Sequence, residues 1–542
     1  MKKVFVSLVV AAFFSCGVFA QSPQPMNGPC ERLAHVVLPQ AKITSAQAVA
    51  AGAFLPPTTG TPAQAAVAAF KTLPGFCRIA VEAVPSADSD IKIEVWLPAS
   101  GWNGKFQGQG NGGFAGYMDY RAMGIAIGEG YATASTDTGH SAVVGAPDAT
   151  WALGHPDKVI DFGYRAIHLM TQLAKTLVNA FYGSNPQHSY FSSCSNGGRQ
   201  ALMEAQRFPE DYDGIIAGAP ANFWTHLLTG AIWDAQATTL DPASYIPAAK
   251  LAAIGRAVND ACDALDGVTD GIVNDPRQCH FDPAVLLCNG ADSDSCLTAP
   301  QVSTLKKLYG GAHDSHAREI YPGFLPGGEA GSGGWALWIT GSAPRTSLLF
   351  YFATGFFADM VYEKADWDST KADLDQAVAA ADEKLARTLN AVDPNLAPFK
   401  SRGGKLIMYH GWNDPAISAL NTIGYYNSVI GKMGAQDTNS FVRVFMAPGM
   451  QHCGGGPGPD SFGQSGPTQS MDPQHDIQLA LEQWVEKGAA PSTIIATKYG
   501  VGDQNRTVKM TRPLCAYPQA AKYNGTGDTN LAANFTCTMG VH

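Results

Sequence analysis

"YFSSCSNGGRQALME", residues 190–204, sets a β-prone apolar run against a helix-forming one, with a serine, an asparagine and two glycines at the junction. A serine attacks a carbonyl only when it is exposed, deprotonated by a neighbouring base and placed beside donors for the oxyanion. A sharp strand-to-helix turn provides that exposure, and small residues are needed around it where side chains would clash. The usual pattern is glycine-x-serine-x-glycine. Here Ser193 takes the first position and Gly197 the last, around Ser195. Taken alone, the junction reads equally well as an ordinary strand–helix turn.

Two downstream stretches shift the balance. The apolar strand Lys405–Tyr409 leads into "HGWNDPAIS", which puts Asp414 just beyond a strand end. A second strand, 441–446, leads into "APGMQHCGGG" and puts His452 on a glycine-rich loop. Singly, Asp414 reads as a cap of the turn before Pro415 and His452 as a structural histidine. Together, Ser195, Asp414 and His452 follow the chain order of α/β-hydrolases. Cys194 immediately precedes the serine and Cys453 immediately follows the histidine. A bridge between them would hold nucleophile and base together across 259 residues (453 − 194), contributing about 5 kcal/mol in a chain-entropy account. The competing reading is two unrelated cysteines with distant partners.

The surrounding pattern predicts an α/β fold with a mostly parallel sheet. "IKIEVWLP" (91–98) alternates like a strand, "GKFQGQGNGGFAG" (104–116) is a glycine-rich turn after another, and "YATASTDTGH" (131–140) is a strand running into a loop. Helical spacing covers 163–183, followed by strand "SYFSS", helix "RQALMEAQRFP" and strand 213–221. The rhythm resumes near 404 and includes a helix over 476–489. Between about 224 and 400 tryptophans, Asp-rich loops and helices replace the alternation, as in a lid inserted at the carboxyl ends of the strands. The expected layout is an α/β-hydrolase core over 21–223 and 401–542, with a lid domain over 224–400.

The first residues, MKKVFVSLVVAAFFSCGVFAQS, carry Lys2 and Lys3, an apolar run and a small-residue cleavage site before Gln21. They read as a signal peptide over 1–20 and place the protein outside the cytoplasm, periplasmic or secreted. Cys16 raises a lipoprotein alternative, for which Phe13-Phe14-Ser15 is a poor lead-in. Net charge is −10 with no basic cluster, which argues against a nucleic-acid partner or an anionic membrane surface. Cleavage leaves ten cysteines, an even number that in an exported chain reads as five disulfides with roughly 900 possible pairings. Cys262/Cys279, Cys288/Cys296 and Cys515/Cys537 are spaced like local loop closures.

The Cys-Ser, Asp and His-Cys signature resembles that of the tannase and feruloyl esterase family, over nearly the whole mature chain. The resemblance implies an α/β-hydrolase core with an inserted lid, Ser195 as nucleophile, His452 as base and Asp414 as its orienting acid. It also implies the pairing 30/77, 194/453, 262/279, 288/296 and 515/537. For the oxyanion, the N–H of Asn196 is one expected donor. The second is expected from "GQGNGGFAG", with Gly112 favoured and Gly113 next.

In the lid, "CDALDGVTDGIVNDPRQC" (262–279) spaces Asp263, Asp266 and Asp270 with Gly267 and Gly271. Hard cations want oxygen ligands, and these three carboxylates with the carbonyls of Val268 and Ile272 could hold a structural Ca2+, with Asp275 as an extra. A solvated acidic turn is the plainer reading. A substrate pocket is expected under the lid among Trp335, Trp338, Phe350, Phe352, Phe356 and Ile417, residues that suit a lid core as well. His410 either faces that pocket or supports the aspartate loop. A carboxylate-bearing substrate would want a lid arginine, and Arg345 is the one nominated for it.

These readings converge on a serine carboxylester hydrolase acting on small aromatic acyl esters, feruloyl, hydroxycinnamoyl or galloyl, through an acyl-enzyme. Two alternatives remain open: the family's mono(2-hydroxyethyl) terephthalate hydrolase branch, and a non-catalytic calcium-dependent extracellular binding protein on a hydrolase scaffold. The sequence leaves the oligomeric state open.

Overall fold

The computed structural model describes Met1 and residues 30–540, except 58–67, 467, 501 and 504. The signal-peptide reading over 1–20 lies outside the described residues. A nine-stranded sheet forms the core, with strands β1 (Ala41–Val49), β2 (Phe76–Ala83), β3 (Ile91–Pro98), β4 (Lys105–Gln109), β5 (Ala132–Thr136), β6 (His188–Cys194), β7 (Gly214–Gly218), β8 (Lys405–Gly411) and β9 (Val442–Ala447). Their order is β1-β2-β3-β5-β4-β6-β7-β8-β9. From β5 to β9 every pairing is parallel, and β1, β2 and β3 add an antiparallel flank.

The pattern of burial explains why these segments are strands. Every residue of β5 and β7 is buried, as expected where helices cover both faces of a parallel sheet. Helix α1 (Ala166–Tyr182) turns Ile167, Met170, Leu173, Ala174, Leu177 and Val178 into the core at helical spacing. It ends on Gly183 at φ 75°, a left-handed C-terminus that glycine adopts without steric cost. Helix α2 (Asn196–Arg207) follows β6 with no loop between them.

Between β7 and β8 the chain leaves the sheet for residues 219–404, which contribute no strand to it among the described residues. This excursion holds α3 (Trp224–Thr239), α4 (Leu374–Leu389) and a small two-stranded sheet, gathered around a second hydrophobic core containing Trp335, Phe356 and Phe357. Five disulfides join Cys30–Cys77, Cys194–Cys453, Cys262–Cys279, Cys288–Cys296 and Cys515–Cys537. No helix among the described residues is long and apolar enough to cross a membrane.

Candidate active site

Ser195 sits between the last residue of β6 and the first of α2 at φ 67° and ψ −126°, a backbone region that L-residues rarely occupy. Its N–H donates to the Gly218 carbonyl at 2.9 Å. A Cβ on Gly197 would fall 1.9 Å from Ser193 Oγ, and one on Gly198 would fall 2.3 Å from the Gly218 carbonyl oxygen. The departure from the usual turn pattern is thereby explained. Ser193 fits at the first position because the facing glycine leaves room for its side chain.

His452 Nε2 lies 2.9 Å from Ser195 Oγ, and His452 Nδ1 lies 2.8 Å from Asp414 Oδ2. Facing a carboxylate, Nδ1 carries the proton, which leaves Nε2 free to accept one from the serine. Asp414 is buried, and its Oδ1 accepts the N–H groups of Ala416 and Ile417 at 2.8 and 3.0 Å. Burial opposes its charge, but the His452 side chain and hydrogen bonds from His410 and His452 outweigh burial and hold this carboxyl well below the usual range. The Cys194–Cys453 bridge joins the residues directly flanking Ser195 and His452.

His410 does not line the cavity. It is wholly buried, with Nε2 3.1 Å from Asp414 Oδ2 and 3.0 Å from the Ile417 carbonyl, and Nδ1 2.8 Å from Thr422 Oγ1. Two acceptors at Nε2 fix the proton there. Of its two sequence readings, support of the aspartate loop is the one this position matches.

Asn196 is tied on both sides. Its Nδ2 donates to the Asn111 carbonyl at 3.0 Å, and its Oδ1 accepts from Arg199 Nε at 2.8 Å. Gln200 in turn bonds Asn111 through Oε1 and Nε2. The glycines need a correction of order. Both Gly112 and Gly113 line the cavity beside Ser195, but the Gly112 N–H already donates to the Tyr117 hydroxyl at 2.8 Å. Among the described residues no partner takes the Gly113 N–H.

Arg199 was not anticipated from the sequence. It is fully buried, with no carboxylate partner among the described residues, its guanidinium caged by the carbonyls of Phe162, Gly163 and Leu389 and packed over the rings of Phe162 and Trp224. Burial, with Arg207 adding to it, lowers its pKa to about 9, so it remains charged at neutral pH.

The cavity above Ser195 encloses about 270 Å³, walled by Trp224, Leu227, Trp338, Leu349, Phe352 and Ile417. Trp338 also meets the His452 ring edge-on at 4.9 Å. Trp335 and Phe356 lie in the core of the excursion instead, and Phe350 is absent from the wall. Arg345 is exposed and does not line the cavity, which corrects its nomination as a substrate-binding residue: its short loop faces solvent at φ 64°.

In the loop after Cys262, Asp263 accepts backbone N–H groups from Asp270, Gly271 and Ile272, and Asp266 Oδ1 accepts that of Val268. Burial, then the nearby Asp270 and Asp263 carboxylates, push Asp266 up to about 6. Backbone N–H groups take these Asp263 and Asp266 oxygens, and Arg512 pairs with one Asp270 oxygen; among the described residues the three carboxylates are not drawn together within 4.8 Å of one another. Asp275 does not join them. It caps the next turn and pairs through both oxygens with Arg277 at 2.9 and 2.7 Å.

A mostly parallel sheet, a serine on a strained strand-to-helix turn and an imidazole and carboxylate delivered from later strand ends define an α/β-hydrolase. The family described as tannase and feruloyl esterase matches residues 77–538. An uncharacterized esterase of Xanthomonas campestris pv. campestris is 44% identical over 536 residues, covering 94% of this chain and 91% of that protein. A probable feruloyl esterase B-2 of Aspergillus terreus is 33% identical, covering 85% and 86%. The crystal structure of feruloyl esterase B from Aspergillus oryzae superposes with a TM-score of 0.85 at 30% identity, over 94% of this chain and 99% of that one. The chain belongs to the tannase and feruloyl esterase family and is a carboxylic ester hydrolase of that type.

Proposed function

We propose that the protein is an exported serine esterase that cleaves small esters of neutral aromatic acids, feruloyl or galloyl in kind, through an acyl-enzyme. The observation that carries this reading is the line Ser195 Oγ–His452 Nε2, His452 Nδ1–Asp414 Oδ2, at 2.9 and 2.8 Å, on the floor of an apolar aromatic cavity. Ser195 attacks the ester carbonyl, and its proton passes to His452 Nε2. The tetrahedral oxyanion takes the N–H of Asn196 and one from the Gly112–Gly113 turn, with Gly113 first because Tyr117 holds the N–H of Gly112. Collapse expels the alcohol with the proton from His452. Water activated by the same imidazole then releases the acid. Asp414 stays ionised and orients the ring. Residues 224–400 act as the lid that walls the acyl site, and the five disulfides favour an oxidising compartment.

The terephthalate monoester alternative loses support from the wall itself. Among the described lining residues no arginine or lysine is present to receive a carboxylate, and Arg345 lies outside. Burying an unpaired carboxylate costs several kcal/mol. Methyl ferulate, methyl gallate and a terephthalate monoester should be compared by kcat/KM. The best neutral aromatic ester is expected to exceed the monoester by about 100-fold or more, roughly 3 kcal/mol. A preference for the monoester would overturn the neutral-acyl assignment. Lack of turnover together with lack of labelling by a fluorophosphonate would favour the binding-protein alternative.

The loop of Asp263, Asp266 and Asp270, with the Val268 and Ile272 carbonyls, is proposed to hold Ca2+ as a structural ion of the lid. Ester cleavage itself needs only the residues named above. Stripping with EDTA is expected to lower the melting temperature by about 1 °C for each kcal/mol the ion contributes, as the unfolding entropy of a chain this long implies. Asp266→Asn should remove the response to added Ca2+, and an unchanged melt after chelation would refute the site.

A further inference from the structure

The helix that carries Ser195 ends at a second polar cluster that ester cleavage does not use. Glu204 lies near the end of α2, Asp211 on the loop leading to β7, and His168 in the first turn of α1. One ligand atom from each lies within 4.8 Å of the other two. Glu204 is 1% exposed and Asp211 3%. Neither carboxylate oxygen of Glu204 has a partner in good hydrogen-bond geometry among the described residues, and its carboxyl faces that of Asp211. His168 Nδ1 sits 2.6 Å from Asp211 Oδ2, with its ring stacked on Phe208 at 3.8 Å. Lys175 bonds the Asp211 backbone carbonyl, and Arg402 stands beyond it, yet neither reaches an oxygen of Glu204.

We propose that His168, Glu204 and Asp211 bind one divalent cation of the Zn2+ or Mn2+ kind. An imidazole with two carboxylates is a donor set these ions accept, whereas Ca2+ favours oxygen alone. Ligands at about 2.0–2.2 Å from such an ion stand about 3–4 Å apart, which the present cluster reaches with small side-chain shifts. The ion supplies the partner that the buried Glu204 carboxylate lacks. It takes Nδ1 in place of the proton that faces Asp211, and the neutral ring carries its one proton on Nε2. Bound there, it pins the far end of the nucleophile helix to α1 and to the loop before β7.

The full chain, stripped with EDTA and returned to excess Ca2+ so that the lid loop is supplied, should be titrated with ZnCl2 by calorimetry and by thermal melting. One saturable equivalent and a higher melting temperature are expected. Glu204→Gln and His168→Gln should each weaken binding by about tenfold or more and remove most of the thermal shift, while Asp266→Asn in the lid loop should retain both. Absence of saturable binding by the unaltered chain overturns the proposal, as does undiminished binding in the two variants. Glu204→Gln melting at or above the unaltered chain in EDTA, with no Zn2+ response in either, would instead identify a proton shared between the carboxyls. Should Glu204→Gln fail to fold, His168→Gln, at the partly exposed edge of the cluster, decides the matter alone.

Discussion

Ser195→Ala is expected to lower kcat by about 10⁵-fold or more, with circular dichroism and the melting temperature unchanged. The loss is chemical: without Oγ no covalent bond to the acyl carbon can form, and His452 Nε2 has no proton to receive. The fold should survive, because alanine keeps the Cβ that already sits at φ 67° and because the turn is held by backbone, Ser195 N–H to the Gly218 carbonyl. Residual hydrolysis would come from the oxyanion donors and binding alone. The measurement is kcat on an activated aromatic ester, with mass spectrometry of the quenched enzyme to look for the acyl adduct. A variant within tenfold of the parent, or an adduct on another residue, would remove Ser195 from the mechanism.

Joint replacement of Cys194 and Cys453 by alanine is expected to cost up to about 5 kcal/mol of stability, since the bridge closes 259 residues. It should also lower kcat by about 10²-fold, the scale of a misplacement near 1 Å. The two effects separate if kcat is measured well below the variant's own melting midpoint. Stability lost with kcat retained would make the bridge a brace for the fold alone. Both retained would make the tether dispensable.

The parts of this candidate site that are legible in the sequence are those whose chemistry is local to one stretch of chain. Ser195, Asp414 and His452 each follow a strand end, and the strands were readable from their apolar runs. The cysteines flanking Ser195 and His452 marked the two loops as neighbours before any coordinate did. What stayed hidden depends on a side chain arriving from elsewhere. Gly112 looked like the better oxyanion donor until the Tyr117 hydroxyl, five residues on, was seen to take its N–H. Asp275 continued the aspartate spacing, but Arg277 claims both its oxygens. Arg345 had suitable chemistry and the wrong address, because position on a lid loop carries no signal of which way the loop faces. His410 was readable as one of two possibilities, and only the packing of Thr422 and Ile417 around its ring distinguishes them.

Arg199 fastens the inserted segment to the turn that carries Ser195. Rooted four residues past Ser195, it bonds the Leu389 carbonyl of the inserted segment and packs against Trp224, a wall of the cavity above Ser195. Moving the inserted segment away as a body would break the bond to the Leu389 carbonyl and the packing against Trp224, about 1–3 kcal/mol for the hydrogen bond to a charged group. For the proposed ester cleavage, that fastening favours entry and exit by small movements at the edge of the cavity over opening of the whole inserted segment.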